Sequence, residues 1–469
     1  MSARAWLLLS LLIAGACAAP PVWEQPAPAV IDAPVLAPGA LHRAELENGL
    51  RILVLEDHRL PRMALSLTVR RGESSLAPAQ AGLASFTAEL MKRGAGSRDA
   101  LALASAVDEI GATLGVSASW DSMGVGVAGL SRDEDTLFAI LADVVRKPRF
   151  DPREATRARS ERIAQLESAK DDPGTLVGWY AASGLYPGHR YGVPAEGTPE
   201  SVARFDAKLA RDLHRRFFVP NDAVLAVVGD VETQDVVERA RRIFGAWPRG
   251  PVAPPGEPPA AQVPPARRVL IVDRPELVQA RILIAHEGIA RSDPDRVAAG
   301  LLNSVLGGSG FSSRLMARVR SEAGLTYSVG SGFSLRREPG PFVVSTFTRV
   351  PEVRRVVDLL LSEIERARSQ PPAEAELAPA RTLAVGEFSL GLETSEAVMG
   401  SLVEFEVYGL PEDGLDTYRG RVRAVSEEQI AGLAQRLLHP DRTLILLVGP
   451  AAALTPQVEG LGPVEVVTP

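Results

Sequence analysis

Two stretches of this sequence recur at a nearly constant distance, and that recurrence limits the possible folds more than any other feature. Arg215-Arg216-Phe217-Phe218-Val219-Pro220 leads into an apolar run from Ala223 to Gly229; Arg436-Leu437-Leu438-His439-Pro440 leads into another from Thr443 to Gly449. The proline and the glycine are each displaced by 220 positions. Arg51-Ile52-Leu53-Val54-Leu55-Glu56 is echoed by Arg268-Val269-Leu270-Ile271-Val272-Asp273 at an offset of 217. A constant period of domain length means a duplicated fold.

The duplication predicts two homologous domains, residues 41–247 and 268–469. Between them lies a Pro-rich linker, residues 248–267, with eight prolines from Pro248 to Pro265. Alternating apolar positions predict strands over Thr113–Ala118 and Gly124–Leu130. Ser131 with Glu134 reads as the capping box of a following helix. The matching strands of the second half are expected at about Tyr327–Phe333 and Phe342–Phe347, with a helix from near Pro351, a residue suited to a first turn. Strands grouped in hairpins with intervening helices give an α+β class, each domain an antiparallel-rich sheet packed with helices.

A net charge of −7 leaves no basic footprint for nucleic acid, and aromatics at 5% are too sparse for base-stacking platforms. The N-terminus reads as an export signal: Arg4, the apolar stretch Trp6–Ile13, then Ala14-Gly15-Ala16 before Cys17. That run is too short to span a bilayer. Cys17 is the only cysteine, so an internal disulfide is excluded. Its position resembles a bacterial lipobox, which implies residues 1–17 as a signal ending at a lipidated Cys17; an ordinary signal peptide cut after Ala18 is the alternative. Residues 18–40, rich in Pro and Ala, read as a tether. Together these features predict an exported, periplasmic protein with a lipid anchor.

The segment Gly307–Tyr327, GGSGFSSRLMARVRSEAGLTY, resembles the substrate-gripping segment of the insulinase/pitrilysin metallopeptidases, in the branch of the mitochondrial processing peptidase. The resemblance implies that Arg320 and Tyr327 hydrogen-bond the substrate backbone and the oxyanion, and that the two domains form halves of a clam-shell chamber. It also implies a zinc helix with H-x-x-E-H, where two imidazoles one turn apart hold the metal and the carboxylate takes a proton from its water. The matching segment is Gly82-Leu83-Ala84-Ser85-Phe86-Thr87-Ala88-Glu89-Leu90. Ser85 and Glu89 replace the histidines, Ala88 replaces the base, and Gln165 falls at the third-ligand position before Asp171-Asp172-Pro173.

Elsewhere no two of the six histidines are closer than 16 residues, and His189 lies in a loop resembling the family's structural H-P-Y-G turn. Ser85 has no His/Asp context for a hydrolase nucleophile. The glycines 307, 308 and 310 lack the lysine of a P-loop; they suit a close turn, with Ser312 or Ser313 capping the helix of Arg314 and Arg320. A chain with the grip but without zinc ligands is expected to act only beside a homologous zinc-bearing subunit, binding extended peptides, with no cofactor of its own. A pseudopeptidase that binds peptides or scaffolds an assembly is the alternative, as is a structural subunit of the kind found in respiratory complexes.

Overall fold

The computed structural model describes residues 33–252 and 266–469; Cys17, most of the tether and most of the linker lie outside the described residues. Residues Leu36–Pro469 form one compact unit. In chain order its strands are β1 (Leu41–Glu45), β2 (Arg51–Glu56), β3 (Arg62–Val69), the two-residue pair β4 (Gly94–Ala95) and β5 (Arg98–Asp99), β6 (Thr113–Ala118), β7 (Met123–Leu130) and β8 (Ala223–Gly229). The second half contributes β9 (Arg268–Asp273), β10 (Gln279–Glu287), β11 (Val329–Phe333), β12 (Pro341–Arg349), β13 (Leu444–Gly449) and β14 (Val464–Val467).

The two sheets run β1-β2-β8-β3-β7-β6 and β14-β9-β13-β10-β12-β11. Five strands correspond one to one. β2 and β9 pair in parallel with β8 and β13, while the three inner pairings beyond them are antiparallel in both sheets. Only the sixth strand differs: β1 pairs antiparallel to β2, whereas β14 runs parallel to β9. This is the α+β duplication that the recurrent words at offsets 217 and 220 require.

β8 and β13 are buried at every residue. A continuous apolar run needs cover on both faces, and the second cover comes from the opposite half. Helix Pro173–Leu185 lays Leu176, Val177, Ala181 and Leu185 on Leu270, Val272, Leu283, Leu444 and Leu446 of the second sheet. Its counterpart 222 residues on, helix Ser395–Tyr408, packs on β8 and β3 of the first. Asp172 and Thr394 cap these helices, each accepting from backbone N–H groups of the first turn. Arg51 pairs with Glu406 at 2.5 Å and Arg62 with Glu396 at 2.6 Å along the second contact. The halves thus clasp each other by exchanging one helix each.

Three local expectations are corrected. The capping box at Ser131 does not form: Ser131 donates to Asp230 Oδ2 at 2.8 Å, and Glu134, first residue of helix Glu134–Arg146, pairs with Arg239 at 3.3 Å. Long-range partners outcompete the local pair. β11 begins at Val329 rather than Tyr327, because Thr326 Oγ1 donates to the Ser328 carbonyl at 3.0 Å and bends the chain there. Pro351 sits in a 3₁₀ turn, Val350–Glu352, that leads into helix Val353–Ser369.

Candidate functional site

Helix Leu83–Met91 buries Leu83, Phe86 and Leu90 in the first core, as its apolar stripe dictates. Its polar positions are satisfied within the protein. Glu73, fully buried, accepts from Ser85 N at 2.9 Å and Ser85 Oγ at 3.1 Å through one oxygen. Its other oxygen accepts from Gly82 N at 3.1 Å and Arg190 Nη2 at 2.6 Å. A carboxylate here satisfies orphan N–H groups of the helix N-terminus and complements its dipole. Arg190, 2% exposed, also donates to Val193 O at 2.7 Å and lies 5.0 Å from the Trp120 ring. Glu73 and Arg190 are 117 positions apart, and neither stands out by local pattern.

Glu89 is occupied as well. Oε1 accepts from Arg93 at 2.8 and 2.9 Å, and Oε2 pairs with Lys92 at 2.7 Å. Burial alone would raise its pKa, but hydrogen bonds from Lys92 and Arg93 outweigh burial together and lower it. Arg93 in turn reaches Glu154 at 3.4 Å and Glu161 at 2.6 Å on helix Pro152–Ala169. The side chain of that helix nearest the cluster is therefore Glu161, one turn before the expected Gln165, which is exposed. Ala88 is buried and offers no base. A serine held by Glu73, an alanine, a carboxylate held by two cations and an exposed glutamine do not fit zinc. Among the described residues no group of three His, Cys, Asp or Glu is placed to hold a metal.

The segment around Arg320 is built differently. Two π-helical stretches, Ser304–Gly308 and Met316–Glu322, flank the turn at Gly310–Ser312; such wide turns are rare and concentrate at functional sites. Ser313, not Ser312, stands before the helical turn at Arg314 that leads into the second, and its Oγ accepts from Met316 N at 3.4 Å. Gly307 permits a close approach: a Cβ there would lie 2.5 Å from Ser331 Oγ. Gly324, at φ +63°, turns the chain toward Tyr327, as Gly111 at φ +60° does in the first half.

Three arginines lie on this segment. Arg314 makes a bidentate pair with Glu376 at 2.5 and 2.7 Å, and Arg318 pairs with Glu322 at 2.7 Å. Arg320 has no carboxylate partner among the described residues. Its guanidinium lies 4.5 Å from the Phe311 ring and 5.3 Å from the Tyr327 ring. Both aromatics are exposed, Tyr327 at 76% and Phe311 at 73%. A core role for Tyr327 is thereby excluded. The loop beneath it is fixed, since Thr348 Oγ1 donates to Leu325 O at 2.7 Å and Thr346 Oγ1 to Ser328 O at 2.7 Å. Planar donors and a phenol O–H project together from a rigid base, ready to bind an oxyanion or a peptide carbonyl. Phe311 was not singled out in the sequence; only its place within the Gly-rich turn marks it.

His189 accepts from Tyr191 N at 3.3 Å within an aromatic group with Tyr186 and Tyr191. Burial, then Arg190 and Arg336, lowers its pKa. Its role in the turn is structural.

Comparison with known proteins bears on the family and the fold. The family described as "Insulinase (Peptidase family M16)" matches residues 51–194, and the one described as "Peptidase M16 inactive domain" matches residues 204–383. An uncharacterized zinc protease of Streptomyces coelicolor is 27% identical over 417 residues, covering 88% of this chain and 90% of its own. One of Bacillus subtilis is 22% identical, covering 87% and 98%. A crystal structure of a peptidase M16 inactive domain from Pseudomonas fluorescens superimposes with a TM-score of 0.81 at 27% identity, over 87% of this chain and 98% of that one. A protease structure from Helicobacter pylori, at 17% identity and a TM-score of 0.79, shares the fold.

Proposed function

The chain belongs to the insulinase family of M16 peptidases, and from that premise we propose that it is the non-zinc, substrate-binding subunit of a periplasmic heterodimeric zinc metalloendopeptidase acting on extended peptides. The observation that carries the reading is the contrast within one chain: the exposed Tyr327 and the half-buried Arg320 stand together on a fixed base, Arg320 without a carboxylate partner among the described residues, while Ser85 and Glu89 at the zinc positions are held by internal bonds. A scaffold would gain nothing from unpaired donors held beside each other. Relatives described as zinc proteases supply the kind of chain expected as partner, which would bring the metal and the general base.

In this reading Arg320 and Tyr327 donate to the substrate carbonyl and bind its oxygen more tightly as negative charge develops. β6 and β11, the outer strands of the two sheets, suit addition of an extended peptide by backbone hydrogen bonds, which gives little sequence choice. The test is reconstitution with a zinc-bearing homologue from the same organism. The purified chain is expected to hold no stoichiometric zinc and to cleave no peptide, while the mixture cleaves. One tightly held zinc per isolated chain contradicts the proposal. So does a mixture that binds peptide without cutting it, which leaves the non-catalytic peptide-binding reading.

A further inference from the structure

The duplication gives the degenerate zinc cleft a counterpart in the second half. Helix Arg296–Asn303 takes the place of Leu83–Met91, and helix Glu374–Leu390, displaced by 222 residues, takes the place of Pro152–Ala169. In the first half the space between such helices is filled by the Glu89–Arg93–Glu161 network. In the second it is a cavity of about 490 Å³, within the range of small-molecule sites.

The cavity walls are apolar, with Leu301, Phe405 and the stacked pair Phe388–Tyr418 at 4.4 Å. Three arginines, Arg291, Arg296 and Arg421, reach it. Arg291 is neutralised by Glu404, yet its Nε is buried without an acceptor. Arg421 has a buried Nε in the same condition and, among the described residues, only a 3.4 Å bond from Nη2 to Gly414 O. Arg296 has no ion pair and no side-chain hydrogen bond among the described residues. Burial, then repulsion from Arg421 and Arg291, lowers its pKa. Buried donors without acceptors are costly, and an anion would satisfy several at once.

We propose that this cavity binds a monoanionic organic carboxylate with an apolar body, its carboxylate between Arg296 and Arg421 and its body against Phe388, Tyr418 and Leu301. Charge selects the class. Glu404 and the exposed Glu387 also line the cavity, so three arginines leave room for one negative charge, and a phosphate dianion would meet repulsion. The planar fork of arginine matches a carboxylate. The inference does not depend on a zinc-bearing partner.

Calorimetry on the full chain tests it with N-acetylphenylalanine, octanoate and, as the uncharged control, N-acetylphenylalaninamide. At least one acid is expected to bind, and N-acetylphenylalanine, if it is the one, at least about tenfold more tightly than its amide. Binding by octanoate alone upholds the carboxylate and assigns an aliphatic body. Arg296→Gln is expected to abolish acid binding while leaving the unliganded melting temperature unchanged or higher, since a desolvated, unpaired cation is removed. Equal binding of acid and amide, no binding of either acid, or an unchanged affinity in Arg296→Gln overturns the proposal.

Discussion

Helix Leu83–Met91 belongs to the first copy of the fold and the segment Gly307–Tyr327 to the second, and they handle their polar groups in opposite ways. Around the first, Ser85 and Arg190 both bond Glu73, and Glu89 is held by Lys92 and Arg93. Around the second, Arg314 and Arg318 are paired while the half-buried Arg320 lies against the exposed Tyr327 without a carboxylate partner among the described residues. Polar groups that satisfy each other hold structure together. Groups held rigid and left without an acceptor are available to a ligand. The same framework thus holds a packing element on one side and, in the proposed reading, a binding element on the other.

The comparison breaks most visibly at Glu73. Glu73→Ala leaves Arg190 buried without its counter-charge and a helix N-terminus without its acceptor. Loss of one partner of a buried pair costs about 3–5 kcal/mol, so chemical denaturation should register a large destabilisation or outright failure to fold. Arg320→Ala, which loses cation–π contacts to two exposed rings, should cost about 1 kcal/mol. Comparable losses at the two sites would erase the distinction.

A smaller effect per residue is expected from acid, and it involves both halves. His214 donates from Nε2 to Val145 O at 2.8 Å, and His286 donates from Nδ1 to Glu287 O at 2.7 Å. Burial is the main cause that lowers each to about 4. An unfolded histidine titrates near 6.5, so between the two values the unfolded chain binds more protons. The stabilising contribution is complete above pH 6.5 and is lost as pH falls toward 4, by up to about 3 kcal/mol per residue. Urea midpoints across that window measure it. His286→Phe, which keeps the ring beside Phe342, should flatten the profile; an equally steep profile would assign the acid sensitivity elsewhere.

How far the sequence discloses this molecule follows the range of the interactions. The recurrent words disclosed the duplicated sheets, because each copy needs the same buried run at β8 and β13. Alternation disclosed β6 and β7, since one face of each is packed and the other is not. The wholly apolar β8 and β13 implied cover on both faces, but no pattern says that the cover comes from the opposite half. The Glu73–Arg190 pair was hidden for the same reason, being a contact between segments 117 residues apart. Ser131 and Glu134 looked like a local pair and were taken by Asp230 and Arg239 instead. Arg320 and Tyr327 were singled out through the words around them, but the exposure of Tyr327 could not be read there.

The central claim is that Arg320 and Tyr327 act on substrate rather than on the fold, and Tyr327→Phe in the reconstituted heterodimer tests it most directly. The change removes one donor and keeps the ring beside Arg320. With kcat and melting temperature measured on the same preparation, the account predicts a loss of about 10²–10³ in kcat and an unchanged melting temperature, because a side chain 76% exposed contributes little to the core. An unchanged kcat in a folded pair, or a kcat that falls only in step with the folded fraction, would contradict it.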